Sequence, residues 1–210
     1  MPTIKEIAKA CNVSVATVSN IINHKGSVGD ATRERVEQVI REMNYTPNYV
    51  AKNLKTKNTR SIGVIAEDMT VFALPDIIDG ITEYCEEEDY QILLVNLRLY
   101  KKFQDKYYRD NRHKEIVRQE IQKLLAKQVE GIIYVAAHER LIDIIPEDLP
   151  IPTVVAYGFT GSGKIPSVVV KDIKGAHDLV SYIVSRGHRK IGVIAGKKES
   201  ILTESRLEGY

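Results

Sequence analysis

Residues 3–23 read Thr3-Ile4-Lys5-Glu6-Ile7-Ala8-Lys9-Ala10-Cys11-Asn12-Val13-Ser14-Val15-Ala16-Thr17-Val18-Ser19-Asn20-Ile21-Ile22-Asn23, and they decide the fold of the amino-terminal part. Thr3, with Glu6 three positions on, forms a capping box in which each side chain satisfies an orphan backbone donor of the other. Ile4, Ile7, Ala8 and Cys11 fall at i, i+3, i+4 and i+7, the apolar face of a helix from about Thr3 to Cys11. Asn12 follows where the chain must turn sharply, and asparagine tolerates a positive φ. Ser14 then caps a second helix whose Val18, Ile21 and Ile22 face inward. Its Val15, Ala16, Thr17, Ser19 and Asn20 are small or polar, so the outer face can approach a surface closely and suits a DNA groove. A third helix from near Asp30 buries Val36, Val39, Ile40 and Met43 and completes a three-helix core with its charges outward.

Past that core the chain reads Asn44-Tyr45-Thr46-Pro47-Asn48. Thr46 is a good cap and Pro47 sits at a first helical position, which encodes a helix through about Leu54. Such a helix is shorter than the roughly 12–15 residues below which isolated helices are marginal in water, so something else must stabilise it. Lys55 to Arg60 is polar, basic and aperiodic, a linker. From Ser61, short apolar runs (Ile62–Ala66, Ile92–Val95, Ile132–Val135, Thr153–Ala156, Val168–Val170, Ile191–Ala195) alternate with helical spacings (Pro75–Glu88, Glu115–Lys127, Glu139–Ile145, Lys174–Arg186). Strands separated by helices predict a parallel, doubly wound sheet. Leu97 to Lys114 is rich in Lys, Arg and Tyr without a clean period and reads as a partly ordered insertion.

The net charge of +2 hides an asymmetry, because residues 1–60 carry ten Lys/Arg against five Asp/Glu and the rest carry twenty against twenty-three. A basic head on a near-neutral body is what attraction to phosphate requires. Cys11 and Cys85 imply no disulfide framework and fit a reducing cytosol. No run approaches the roughly 18 apolar residues that span a bilayer, and the amino terminus has no secretory h-region. The five His residues show no metal-ligand spacing, so neither a metal nor a cofactor is implied. Gly158-Phe159-Thr160-Gly161-Ser162-Gly163-Lys164 matches the front of a phosphate-binding loop, but Ile165 stands where Ser or Thr would hold magnesium, and Pro166 and a strand-like run follow. It reads as a surface loop and not as the mark of an enzyme.

The runs Thr3–Ala8, Val13–Ser19, Thr32–Val36 and Asn44–Asn48 resemble the lactose-repressor and purine-repressor (LacI/GalR) family of bacterial regulators. The likeness continues through Ser61–Ile65, Val129–Ile133, Ser185–Ile191 and Ser205–Tyr210, and so covers essentially the whole chain. It implies a helix-turn-helix DNA-binding head (residues 1–45), a hinge helix and linker (46–60), and an α/β effector domain like the periplasmic sugar-binding proteins, with an N-subdomain (61–157) and a C-subdomain (158–210), both partial. The implied function is a ligand-responsive transcriptional regulator, most simply a repressor of carbohydrate or related genes. It would work as a cytoplasmic, nucleoid-associated homodimer on a near-palindromic operator, with no membrane partner.

Carried over residue by residue, the likeness places Val15, Ala16 and Asn20 at base edges in the major groove and offers Ser14, Thr17, Ser19 and Asn23 for phosphate contacts. In the hinge, Leu54 matches a leucine that wedges between base pairs in the minor groove, flanked by Ala51 and Lys55. The effector, a small molecule such as a sugar or sugar derivative, would meet Arg206, Asp172 and Phe72; Asp172 fits a structural role as well, and Phe72 fits the core equally. Where the family often has Asp-Arg after the fourth strand, this chain has Tyr157-Gly158. The family also continues for about another domain beyond Tyr210, so a fragment or truncated product with an unfinished, aggregation-prone pocket is expected. Two rival classes are a sugar-binding protein without a DNA function, which leaves the head unexplained, and an interaction or antitoxin-like module that uses only residues 1–60.

Overall fold

The computed structural model describes residues 2–23, 25–46, 58–71, 73–104, 112–198 and 200–210. The chain divides into two compact units, Met1–Asn58 and Thr59–Tyr210.

In the first unit, α1 (Ile4–Ala10), α2 (Val15–Ile22) and α3 (Asp30–Glu42) pack around Ile7, Ala8, Cys11, Val18, Ile21 and Val36. The capping box forms: the Thr3 amide donates to Glu6 at 2.7 Å and the Glu6 amide to the Thr3 hydroxyl at 3.4 Å. Those bonds hold the Glu6 carboxyl below its ordinary value. Asn12 turns the chain at φ 50°, and Ser14 caps α2 by accepting from the Thr17 amide at 3.0 Å. Val39 and Ile40 are half-buried against the core, as the apolar spacing predicts. Met43 departs from expectation. It is the C-cap of α3, one position beyond the last helical residue, and it is exposed. The predicted helix over 47–54 lies outside the described residues.

The second unit is a five-stranded parallel sheet in the order β2-β1-β3-β4-β5: β1 (Ser61–Ala66), β2 (Gln91–Asn96), β3 (Gly131–Val135), β4 (Thr153–Ala156) and β5 (Ser167–Val168). Helix α4 (Leu74–Glu87) links β1 to β2, with Pro75 in its first turn where no backbone donor is lost. A short α5 (Leu99–Phe103) begins the segment that read as an insertion, and α6 (Lys114–Ala126) ends it, laying Val117, Ile121 and Leu124 on the sheet. Gly63 of β1 lets α6 sit close, since a Cβ there would come within 2.7 Å of Leu124. Beyond the sheet, α7 (Asp172–Ser185) packs on α8 (Ile201–Gly209). Gly209 makes that contact, because a Cβ would strike the Ile173 carbonyl and the Ala176 methyl group.

Three expectations fail here. Residues 139–145 form bends instead of a helix, because their backbone groups bond across to another loop: the Ile142 amide donates to the Phe159 carbonyl at 2.7 Å and the Phe159 amide to Arg140 at 3.1 Å. Ile142, Ile144 and Ile145 still reach the core. Residues 191–195 are not a strand, since no strand among the described residues pairs with them. The predicted strand 168–170 shrinks to Ser167–Val168, with Val169 and Val170 exposed beyond it. The pairing of β5 with β4 carries one sheet past the expected subdomain boundary at 157/158. No helix among the described residues is long and apolar enough to cross a membrane.

Candidate DNA-binding face and effector site

Helix α2 separates its residues sharply. Val18 and Ile21 are buried, whereas Val15, Ala16 and Asn20 are exposed on the opposite side, with Ser19 and Asn23 half-buried on the same stripe. That spacing of one, four and five residues is one face of a 3.6-residue helix. Val15 is 42 % exposed. The polar residues are partly occupied at home. The Ser14 and Thr17 hydroxyls bond each other at 2.8 Å, and the Asn23 side chain closes the helix by donating through Nδ2 to the Ser19 carbonyl at 2.7 Å. Asn20 lies against Gly26, where a Cβ would stand 3.4 Å from its amide; the φ of +75° at Gly26 favours glycine independently. Ala51, Leu54, Lys55 and Phe72 lie outside the described residues.

In the second unit the strand order 2-1-3-4-5 reverses between β1 and β3, and such switch points, at the carboxyl ends of the strands, are where doubly wound sheets take ligands. Glu67 follows β1 there and is fully buried. Its carboxylate accepts from the Tyr134 hydroxyl at 2.5 Å, the Ala137 amide at 2.8 Å, and both ends of the Arg140 fork at 2.6 and 3.0 Å. Burial pushes the Glu67 carboxyl up, but the Arg140 charge and these bonds outweigh it and leave it below its ordinary value. This network ties the loop after β3 to the end of β1.

That loop presents Glu139, which gathers with Tyr157, Asp172 and Arg206. Arg206 on α8 donates through Nε to Asp172 Oδ1 at 2.6 Å, joining two of the three residues expected at the effector. The Asp172 side chain is only 8 % exposed and, among the described residues, its Oδ2 is buried without a hydrogen-bond partner. The Val170 amide reaches Glu139 at 3.4 Å. Burial raises the Glu139 carboxyl above its ordinary value; the Val170 amide lowers it, the Asp172 charge raises it again and Arg206 opposes. Burial likewise raises the Tyr157 hydroxyl. Tyr157 holds φ 56°, and Gly158 follows where a Cβ would stand 3.0 Å from Ile142 and 3.1 Å from Ala136, so the dipeptide that replaces Asp-Arg is shaped by packing.

Sequence reasoning missed Glu67, Tyr134, Glu139, Arg140 and Tyr157. Glu67 carried a usable signal, a charge directly after a buried strand, while the helix wrongly predicted over 139–145 concealed Glu139 and Arg140. The loop 158–164 gives no phosphate cradle: Lys164 pairs with Glu147 at 3.0 Å and strand β5, not a helix, comes next.

The chain thus combines a three-helix head with an uncharged outer face on α2 and a doubly wound domain with a polar cluster at the carboxyl ends of its strands. Residues 3–48 match the model for bacterial regulatory proteins of the lacI family, and residues 59–210 match that for periplasmic binding proteins and the sugar-binding domain of the LacI family. The chain belongs to the LacI family. It is 30 % identical over its whole length to the HTH-type transcriptional repressor PurR of Vibrio atlanticus and 28 % identical to the ribose operon repressor of Haemophilus influenzae, spanning 60 % and 59 % of those proteins. The lac repressor dimer bound to operator and the anti-inducer ONPF shares its fold, with a TM-score of 0.74 at 24 % identity over 99 % of this chain and 60 % of that one.

Proposed function

We propose that this chain is the operator-binding and effector-sensing part of a transcriptional repressor that acts as a homodimer on a near-palindromic operator. It works in the cytoplasm, at the nucleoid where operator DNA lies, and controls genes of carbohydrate or related metabolism. The observation that carries the reading is the exposed Val15, Ala16 and Asn20 face of α2, backed by buried Val18 and Ile21. Asn20 pairs with adenine edges, Val15 and Ala16 meet thymine methyl groups, and Ser14, Thr17, Ser19 and Asn23 face phosphates. The head spans residues 1–45, the hinge and linker 46–60, and the effector domain is built from 61–157 and 158–210. In the hinge, Leu54 wedges into the minor groove beside Ala51 and Lys55.

The effector is a small hydroxyl-bearing molecule such as a sugar. A hydroxyl both donates and accepts, which matches carboxylates at Glu139 and Asp172 beside the Arg206 fork and the Tyr157 hydroxyl. Phe72 supplies an aromatic wall. Effector binding shifts the arrangement of subunits and the order of the hinge, and so operator affinity.

Selection of bound sequences from random duplexes tests the reading. A two-fold symmetric consensus is expected, and Leu54→Ala is expected to weaken specific binding more than non-specific binding. Absence of any preference for a symmetric duplex over scrambled competitor at moderate salt overturns it.

A further inference from the structure

Thr59 and Arg60 carry the chain from the linker into β1, and an unusual number of groups hold them. Glu130, in the turn between α6 and β3, accepts with one carboxylate oxygen from both the Thr59 amide (2.6 Å) and the Arg60 amide (2.7 Å). Its other oxygen accepts from the Tyr90 hydroxyl at 3.3 Å, and the Thr59 hydroxyl donates to the Gln128 carbonyl at 2.8 Å. The Arg60 guanidinium lies 4.7 Å from the centre of the Tyr90 ring, donates to the carbonyls of Asp89 and Glu88, and pairs with the Asp89 carboxylate at 3.5 Å. Arg60, Asp89 and Gln128 all hold a positive φ, between 44° and 58°, although none is glycine. Non-glycine residues keep that conformation where their surroundings over-determine it.

Holding β1 in place does not require this. The strand is already paired to β2 at six positions and to β3 at five, and its Val64, Ile65 and Ala66 are fully buried. What the clamp adds is control over the residues just before the strand, where the linker begins.

We propose that this clamp is a positioning device for operator reading: it fixes the point and direction at which the linker leaves the effector domain, so that the dimer measures the distance between half-sites, with Glu130 as the positioning residue. The inference rests on the proposed operator-binding function. One extra base pair between half-sites moves one head by about 3.4 Å and turns it by about a tenth of a helical turn. A pinned exit point resists that displacement and a loose one follows it.

The test uses the full chain, its selected two-fold duplex, the same half-sites spread by one and two base pairs, and a single half-site duplex. The unaltered chain is expected to prefer its selected spacing. Glu130→Ala and Arg60→Ala are expected to lower that preference at least about threefold, with affinity for the single half-site unchanged. Glu130→Gln keeps a carbonyl acceptor for both amides and is expected to retain the preference. Hydrogen exchange should speed up at the Thr59 and Arg60 amides of Glu130→Ala while Val64 to Ala66 stay protected. An unaltered spacing preference in Glu130→Ala with these amides released overturns the inference, as does a parent chain that binds all spacings equally. A parent chain that binds no symmetric duplex overturns the functional reading and this inference with it. Should Glu130→Ala not fold, Arg60→Ala decides, because that side chain is 45 % exposed.

Discussion

Asn20 and Glu67 show two ways in which a polar side chain becomes significant. Asn20 projects from α2 and, among the described residues, lies only beside Gly26, so replacing it leaves the core intact. Asn20→Ala is expected to relax preference at a single base pair by roughly 1–3 kcal/mol. Comparison of complete binding-site profiles checks this, and an unchanged profile rejects its reading role. Glu67 is the opposite case, fully buried and answered by Tyr134, Ala137 and Arg140. Glu67→Ala removes the carboxylate from a desolvated arginine and is expected to destabilise the second unit by roughly 3–5 kcal/mol. Its folded-state pKa is lowered, so its contribution is present above the ordinary value of 4.5 and is lost as pH falls through the folded-state value. Urea melts from neutral pH downward should therefore show an acid loss of stability that Glu67→Gln flattens; an identical acid limb in Glu67→Gln would reject this role.

Elements here are held by local pattern at their ends and by close contact along their sides. Capping at Thr3 and Ser14, the αL turn at Asn12 and the stripe of Val117, Ile121 and Leu124 on α6 were all legible, because each depends on neighbours within a turn or two. The misread segment 139–145 depends on distant partners. Its apolar spacing is genuine, but Glu67 takes the Arg140 side chain and Phe159 takes the backbone, and both partners are remote in sequence. Helices α7 and α8 meet through Gly209, where the opposing atoms include a backbone carbonyl that cannot move aside. Gly209→Ala is expected to separate the pair at a cost of about 1–3 kcal/mol and to draw Arg206 away from Asp172. Thermal melts, together with the chemical shift of the Arg206 Nε proton, would check both effects; an unmoved Arg206 signal counts against the coupling.

At the scale of the whole molecule, the described residues form two hydrophobic cores, one with six buried residues in the head and a larger one on the sheet. Two-state unfolding fails when cores melt independently. Two transitions are expected in denaturant, the smaller belonging to the head, and the selected duplex should raise the head transition more than the other, since a ligand stabilises most directly what it binds. A single transition that moves as one when DNA is added would refute this independence.

Short windows of sequence encode the three-helix head, the alternation of strands and helices, and the outward placement of Val15, Ala16 and Asn20 on α2, because these follow from caps and from periods of 2 and 3.6 residues. Long-range packing is what brings Glu139 and Tyr157 to Asp172 and Arg206, sets Glu67 as the anchor of their loop, and places Glu130 on Thr59 and Arg60. Those groups come from segments up to seventy-three positions apart, and which remote side chain answers a buried charge is settled by strand order and packing, not by any local pattern.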